Sequence, residues 1–186
     1  MLNSPFYYNV YKNAFTKEWC DQVIETAYEK AEEIEGQAEQ GYTGRYSDVR
    51  WLVEKWVFDD VVPQINHANQ DSMWNIDYKY LEPLQFTEYK QGQYYDWHID
   101  SYPHLKNGEQ RKLSFSIILS DPEEYEGGMF TIVGGLPNVE KEWEMQVPLE
   151  KGDLIVFPSF VPHKVSVINN GLRRSLVGWC MGPAWR

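Results

Sequence analysis

The sequence predicts a mainly β domain with helices at its front, built as a sandwich or jelly-roll barrel. Three observations predict it. After Trp74, short runs rich in β-branched and aromatic residues alternate with turn signals. Before that point, apolar residues recur at helical steps. Eight Trp, thirteen Tyr and eight Phe among 186 residues supply apolar mass for one sizeable core, which excludes a disordered chain and leaves two independent domains cramped.

The first helix begins after Thr16, a residue suited to capping, and carries Trp19, Val23, Ile24, Ala27, Tyr28 and Ala31 at three- and four-residue steps. Glu25, Glu29, Glu32 and Glu33 fall largely on its other face. Gly36, Gly41 and Gly44 mark a long polar loop, and a second helix lies between Val53 and Asp71, interrupted or started by Pro63. Strands are then expected over Asp77–Tyr80, Leu84–Tyr89, Tyr94–Asp100, Leu113–Leu119, Met129–Val133, Leu154–Phe157, Lys164–Ile168 and Ser175–Cys180. Turns such as Gln91-Gly92, Gly127-Gly128 and Asn169-Asn170-Gly171 separate them. The chain thus reads as one domain over 1–186, with a helical support region at 1–75 and a β core at 76–186.

Seventeen Lys and Arg against 28 Asp and Glu give a net charge of −11. Such a surface repels phosphate backbones, so no nucleic-acid partner is expected. No apolar run approaches the roughly 18 residues of a membrane helix, and the N-terminus lacks a secretory pattern. The two cysteines, Cys20 and Cys180, form neither a disulfide framework nor a thiolate metal site. A cytoplasmic protein with no membrane partner is expected.

Chemistry concentrates around two of the four histidines. On a strand, His98 and Asp100 share one face while Ile99 points to the other, so both can reach one metal ion. The same pair also fits an Asp accepting a hydrogen bond from a neighbouring His. His163 follows an apolar strand and a Pro-bounded loop, placed either as a distant third ligand or as a half-buried His bonded to a carbonyl. Arg173 and Ser175 share a face ten residues further on, while Arg174 points away. A guanidinium beside a hydroxyl suits a bound carboxylate, or else a salt bridge to one of the chain's own carboxylates.

Taken in order, Tyr89-x-x-Gly92-x-x-Tyr95-x-x-His98-x-Asp100, Gly127-Gly128, Gly152-Asp153, Pro162-His163 and Gly171-x-Arg173-x-Ser175 resemble the iron(II)- and 2-oxoglutarate-dependent oxygenases. The likeness is to the prolyl-4-hydroxylase-like branch, with its short bacterial and phage-encoded members, and runs from about Leu84 to Trp185. It implies a double-stranded β-helix (jelly roll) core, with Fe(II) held by His98, Asp100 and His163. It places 2-oxoglutarate on Arg173, helped by Tyr89 and Ser175, and sets Tyr95 along the iron pocket. It further implies O2 as oxidant, ascorbate as an accessory reductant, and hydroxylation, since Asp100 fills the position that halogenating relatives leave open. A bacterial cytoplasm, or that of a phage host, follows.

Many prolyl hydroxylases carry a Tyr where this chain has Ile118, and collagen-type enzymes a Lys where it has Arg173. The expected substrate is a prolyl residue in a protein or peptide. The alternatives are a free amino acid or other small molecule, and, in a different class, a non-catalytic jelly-roll binding protein. Loops 36–50 and 101–110 are expected to shape the choice. Trp51, Trp56, Trp97, Trp143 and Trp179 are candidate aromatic surfaces or ordinary core, and Arg45 and Arg50 substrate contacts or solvated charges.

Overall fold

The computed structural model describes residues 7–32, 34–35, 44–101, 105, 107–134 and 144–185. In chain order the elements are β1 (Asn9–Tyr11), α1 (Lys17–Lys30), β2 (Ile34–Glu35), β3 (Arg45–Tyr46), β4 (Asp48–Leu52), α2 (Lys55–Asp71), β5 (Tyr80–Leu81) and β6 (Leu84–Lys90). Then follow β7 (Tyr94–His98), β8 (Glu109–Ile118), β9 (Tyr125–Gly127), β10 (Phe130–Val133), β11 (Glu144–Val147), β12 (Leu154–Pro158), β13 (His163–Val165) and β14 (Ile168–Pro183). Among the described residues they form a nine-stranded sheet, ordered β1-β12-β8-β14-β6-β4-β2 with β5 and β9 also paired to β14. The second sheet has five strands, ordered β11-β10-β13-β7-β3. All the strand pairings are antiparallel.

Strand periodicity divides the core in two. On β12, Leu154 and Val156 pack with Cys20, Val23, Ala27, Val57, Val61 and Ile65 of the helices. Their neighbours Ile155 and Phe157 join Phe130, Ile132, Val147 and Val165 of the smaller sheet. The larger sheet therefore carries the helices on one face and the second sheet on the other. That explains why β12 is an unbroken apolar run rather than an alternating one.

Thr16 caps α1 as expected, accepting a hydrogen bond from Trp19 N at 3.2 Å. Helix α2 differs from expectation, because it runs through Pro63 without a break. A proline inside a helix costs about 3 kcal/mol. Burial of Val57, Val61, Ile65 and Ala68, at roughly 1.5–3 kcal/mol for each large aliphatic side chain, outweighs that cost.

Four further expectations are corrected. The front 75 residues are not only helical, since β1, β3 and β4 pair with β12, β7 and β6. Part of the supposed loop 36–50 is thus strand, and residues 36–43 lie outside the described part, as do 102–104, 106 and Trp143. Strand β7 stops at His98 instead of reaching Asp100, because the backbone N–H groups of Asp100 and Ser101 turn away to donate to Ser159 O, both at 2.9 Å. The Asn169-Asn170-Gly171 turn is instead the start of β14, whose first residues pair with β9 before the strand enters the large sheet.

Gly178 sits where β14 crosses β8. A Cβ there would lie 2.2 Å from Phe115 Cζ and 2.8 Å from Leu84 Cδ2. Gly178→Ala should destabilise the fold by about 1–3 kcal/mol in urea unfolding, and adding Phe115→Leu should recover part of the loss.

Candidate metal and dicarboxylate site

The site is assembled across β7 and β13, the antiparallel pair in which His98 and His163 stand directly opposite each other. Their ring centroids are 4.1 Å apart. His98 Nδ1 lies 2.8 Å from Asp96 O, and His163 Nδ1 lies 3.0 Å from Val161 O. A carbonyl only accepts, so both Nδ1 atoms carry the proton, leaving each Nε2 lone pair free. Both Nε2 atoms face Asp100. The distances are 3.7 Å from His98 to Oδ1 and 3.6 Å from His163 to Oδ2. Ligand atoms from His98, Asp100 and His163 all lie within 4.8 Å of one another.

Rings hold the imidazoles in place. Tyr95 stacks on His98 with centroids 3.4 Å apart, and Phe157 lies 4.5 Å from His163. Ser114, which donates to Ser159 Oγ at 2.9 Å, adjoins Asp100 and helps keep its carboxylate ionised. Burial alone would raise the Asp100 pKa; the nearby His163, His98 and Arg111 instead hold it down at about 2. Burial, reinforced by His163, depresses His98 to about 3. The site thus offers a carboxylate and a neutral imidazole at physiological pH, which is what metal ligation requires.

Arg173 lies on β14 with only 2% of its surface exposed. Its Nη1 is 3.4 Å from Ser175 Oγ, the Tyr89 ring centroid lies 5.8 Å from its guanidinium carbon, and its Nε is buried with no acceptor. Among the described residues no carboxylate pairs with it. Arg174 does point the other way, to Glu124 at 2.9 Å, Glu88 at 3.4 Å and the Tyr28 hydroxyl at 3.1 Å. Gly128, at φ +60°, clears the way for the Arg173 stem, since a Cβ there would meet Arg173 Cδ at 2.8 Å and Ile168 Cδ1 at 2.4 Å. Gly128 is therefore steric support for the arginine, whereas a Cβ at Gly127 would meet Val167 O at 2.3 Å.

One cavity is bordered by the triad, Tyr89, Tyr95, Arg173 and Ser175, so every sequence-predicted site residue converges there. Another, of about 280 Å³, lies between Gly127-Gly128 and Val147–Leu149. It shares Phe130 and Arg173 with the first but holds no His or Asp. Ile118 is fully buried beside Ser175 across the ladder. Arg50 is a structural tie, donating to Ala31 O at 2.8 Å, whereas Arg45 borders the cavity. Sequence reading missed Ser114 as the support of Asp100. The available signal was β8 itself, where Lys112, Ser114 and Ser116 alternate as buried polar residues with Leu113, Phe115 and Ile117.

Two imidazoles and one carboxylate, converging between two antiparallel sheets, define a donor set of the mononuclear non-haem iron type. The chain belongs to the 2OG-Fe(II) oxygenase superfamily, whose family model matches residues 84–181. The family is that of the Fe(II)- and 2-oxoglutarate-dependent oxygenases. It is 29% identical over 161 residues to a PKHD-type hydroxylase of Picosynechococcus, covering 84% of this chain and 70% of that protein. A PKHD-type hydroxylase of Stenotrophomonas maltophilia is 38% identical over 104 residues, 54% of this chain and 43% of the relative. The chain thus spans less than half the length of several curated relatives it matches.

Among solved structures, it is similar to the viral collagen prolyl hydroxylase of Paramecium bursaria Chlorella virus-1 in its 2OG complex. The TM-score is 0.72 at 21% identity, covering 95% of this chain and 96% of that one. A Pseudomonas putida prolyl-4-hydroxylase gives 0.70 at 18% identity, covering 96% and 94%. Among the described residues no helix is long and apolar enough to cross a membrane.

The histidine shift carries a pH signature. The unfolded His98 binds a proton below about 6.5 and the folded one only below about 3. Metal-free protein should therefore lose stability as pH falls through that window. Urea midpoints at pH 7 and pH 5 after chelation test this, with His98→Gln showing a smaller drop than wild type. The ordinary histidine value would place the decline in metal affinity just below pH 6; for His98 the depressed value moves it lower.

Proposed function

We propose that the chain couples oxidative decarboxylation of 2-oxoglutarate to hydroxylation of a C–H bond, with a prolyl residue in a protein or peptide as the leading substrate. The observation that carries this reading is the cavity shared by His98, Asp100, His163 and an ion-pair-free buried Arg173. The donor set fits Fe(II). The orphaned Arg173 Nε and the adjacent Ser175 hydroxyl fit the distal carboxylate of 2-oxoglutarate.

In this assignment His98, Asp100 and His163 hold the metal, which with 2-oxoglutarate and O2 supplies the oxidising chemistry. The Asp96 and Val161 carbonyls keep both imidazoles aimed through Nε2. Arg173, assisted by Tyr89 and Ser175, orients the co-substrate, and Tyr95 bounds the space beside His98. The apolar inter-sheet cluster keeps water from the inner side. The Trichoplax adhaerens prolyl hydroxylase, solved with a hypoxia-inducible-factor peptide fragment, is alike in fold at TM-score 0.66 and supports a peptide as substrate. Buried, unpaired Cys20 and Cys180 suit a reducing cytoplasm.

Two sets of variants test the assignment. His98→Ala or Asp100→Ala should abolish succinate formation while leaving the circular dichroism spectrum near wild type, and an active Asp100→Ala protein would refute the triad. Arg173→Ala should weaken 2-oxoglutarate dependence by roughly some hundreds- to thousands-fold, corresponding to about 3–5 kcal/mol. Arg173→Lys should fall between, keeping the charge but losing the fork. Mass spectrometry for a gain of one oxygen on a peptide panel reads the substrate.

A further inference from the structure

A second guanidinium enters the cavity from the smaller sheet. Arg45 sits on β3 opposite Tyr95 of β7, and its guanidinium carbon lies 4.8 Å from the Tyr95 ring centroid. Its Nε donates to Ser47 Oγ at 2.9 Å. These contacts orient the fork, yet Nη2 is buried with no acceptor, and no carboxylate pairs with Arg45 among the described residues. The cavity's other orphaned donors are Arg173 Nε and Trp179 Nε1. Every unsatisfied group here is an N–H seeking an acceptor.

We propose that Arg45 takes a carboxylate carried by the substrate that is oxidised. The inference rests on the oxygenase reading above. Among the described residues bordering the cavity Arg45 and Arg173 are positive and Asp100 is negative, while a ferrous ion and doubly ionised 2-oxoglutarate cancel. One positive charge remains, and Arg173 is already assigned to the co-substrate. A neutral carbonyl would satisfy the Nη2 hydrogen bond but leave that charge uncompensated at a mostly enclosed site, whereas a carboxylate meets both demands. The carboxylate belongs either to a free amino acid or to an acidic residue flanking the target in a peptide.

Binding to protein loaded with Zn(II) and 2-oxoglutarate, followed calorimetrically, tests this without turnover. One arm compares L-proline with L-prolinamide. The other compares blocked Glu-Pro-Ala with Gln-Pro-Ala, and blocked Ala-Pro-Glu with Ala-Pro-Gln. In at least one arm wild type should favour the carboxylate member by roughly 10- to 100-fold, and that arm identifies the source. Arg45→Gln should shrink the preference to below about 3-fold, and Arg45→Lys should retain part of it. No preference in any arm, or a full preference surviving in Arg45→Gln, overturns the proposal. Iron-dependent succinate formation by wild type is measured separately. Its failure refutes the oxygenase reading, whereas the carboxylate preference is read on binding alone.

Discussion

The candidate site depends on one strand pairing. Because β7 and β13 run antiparallel with His98 opposite His163, two residues far apart in sequence arrive at adjacent points with both Nε2 atoms facing inward. The backbone completes the arrangement, since in each case a carbonyl two residues upstream holds Nδ1. The carboxylate arrives by a different device: β7 ends, and Ser159 O captures two successive N–H groups so that Asp100 turns back toward the rings. A rigid ladder fixes two proposed ligands and a tight loop fixes the third.

Long strand β14 plays the complementary part in the other sheet. Its alternation sends Arg173 and Ser175 into the cavity, and Arg174 onto the helix-bearing face, where Glu88, Glu124 and Tyr28 hold it. The same sequence Arg173-Arg174 therefore yields, among the described residues, one arginine with carboxylate partners and one without. In low dielectric an unpaired guanidinium is costly. The fold maintains that cost at one cavity and avoids it one residue later.

Much of this was legible in the sequence, for definite reasons. Period-two alternation placed Arg173 and Ser175 on one face, and the apolar run at Leu154–Phe157 marked a strand. Thr16 signalled a helix start, and the spacing of the His98 and His163 motifs carried the family resemblance. What was not legible depended on tertiary context. Arg45–Tyr46 and Asp48–Leu52 look like loop because their polar residues are ordered only by pairing with β7 and β6. Pro63 looks like a helix break because local sequence does not display the burial that overrides it. The role of Ser114 was hidden because serine carries no signature until its partner is known.

The two sheets hold different halves of the candidate site. The triad gathers at β7, β13 and the loop after β7, while Arg173 and Ser175 belong to β14 across the core. The span between the triad and the Arg173 guanidinium is thus set by the packing of Phe130, Ile132, Ile155, Phe157 and Val165 between the sheets. Phe130, Phe157 and Val165 also border the cavity, so trimming this apolar layer would change the spacing of the two halves and the walls between them at once.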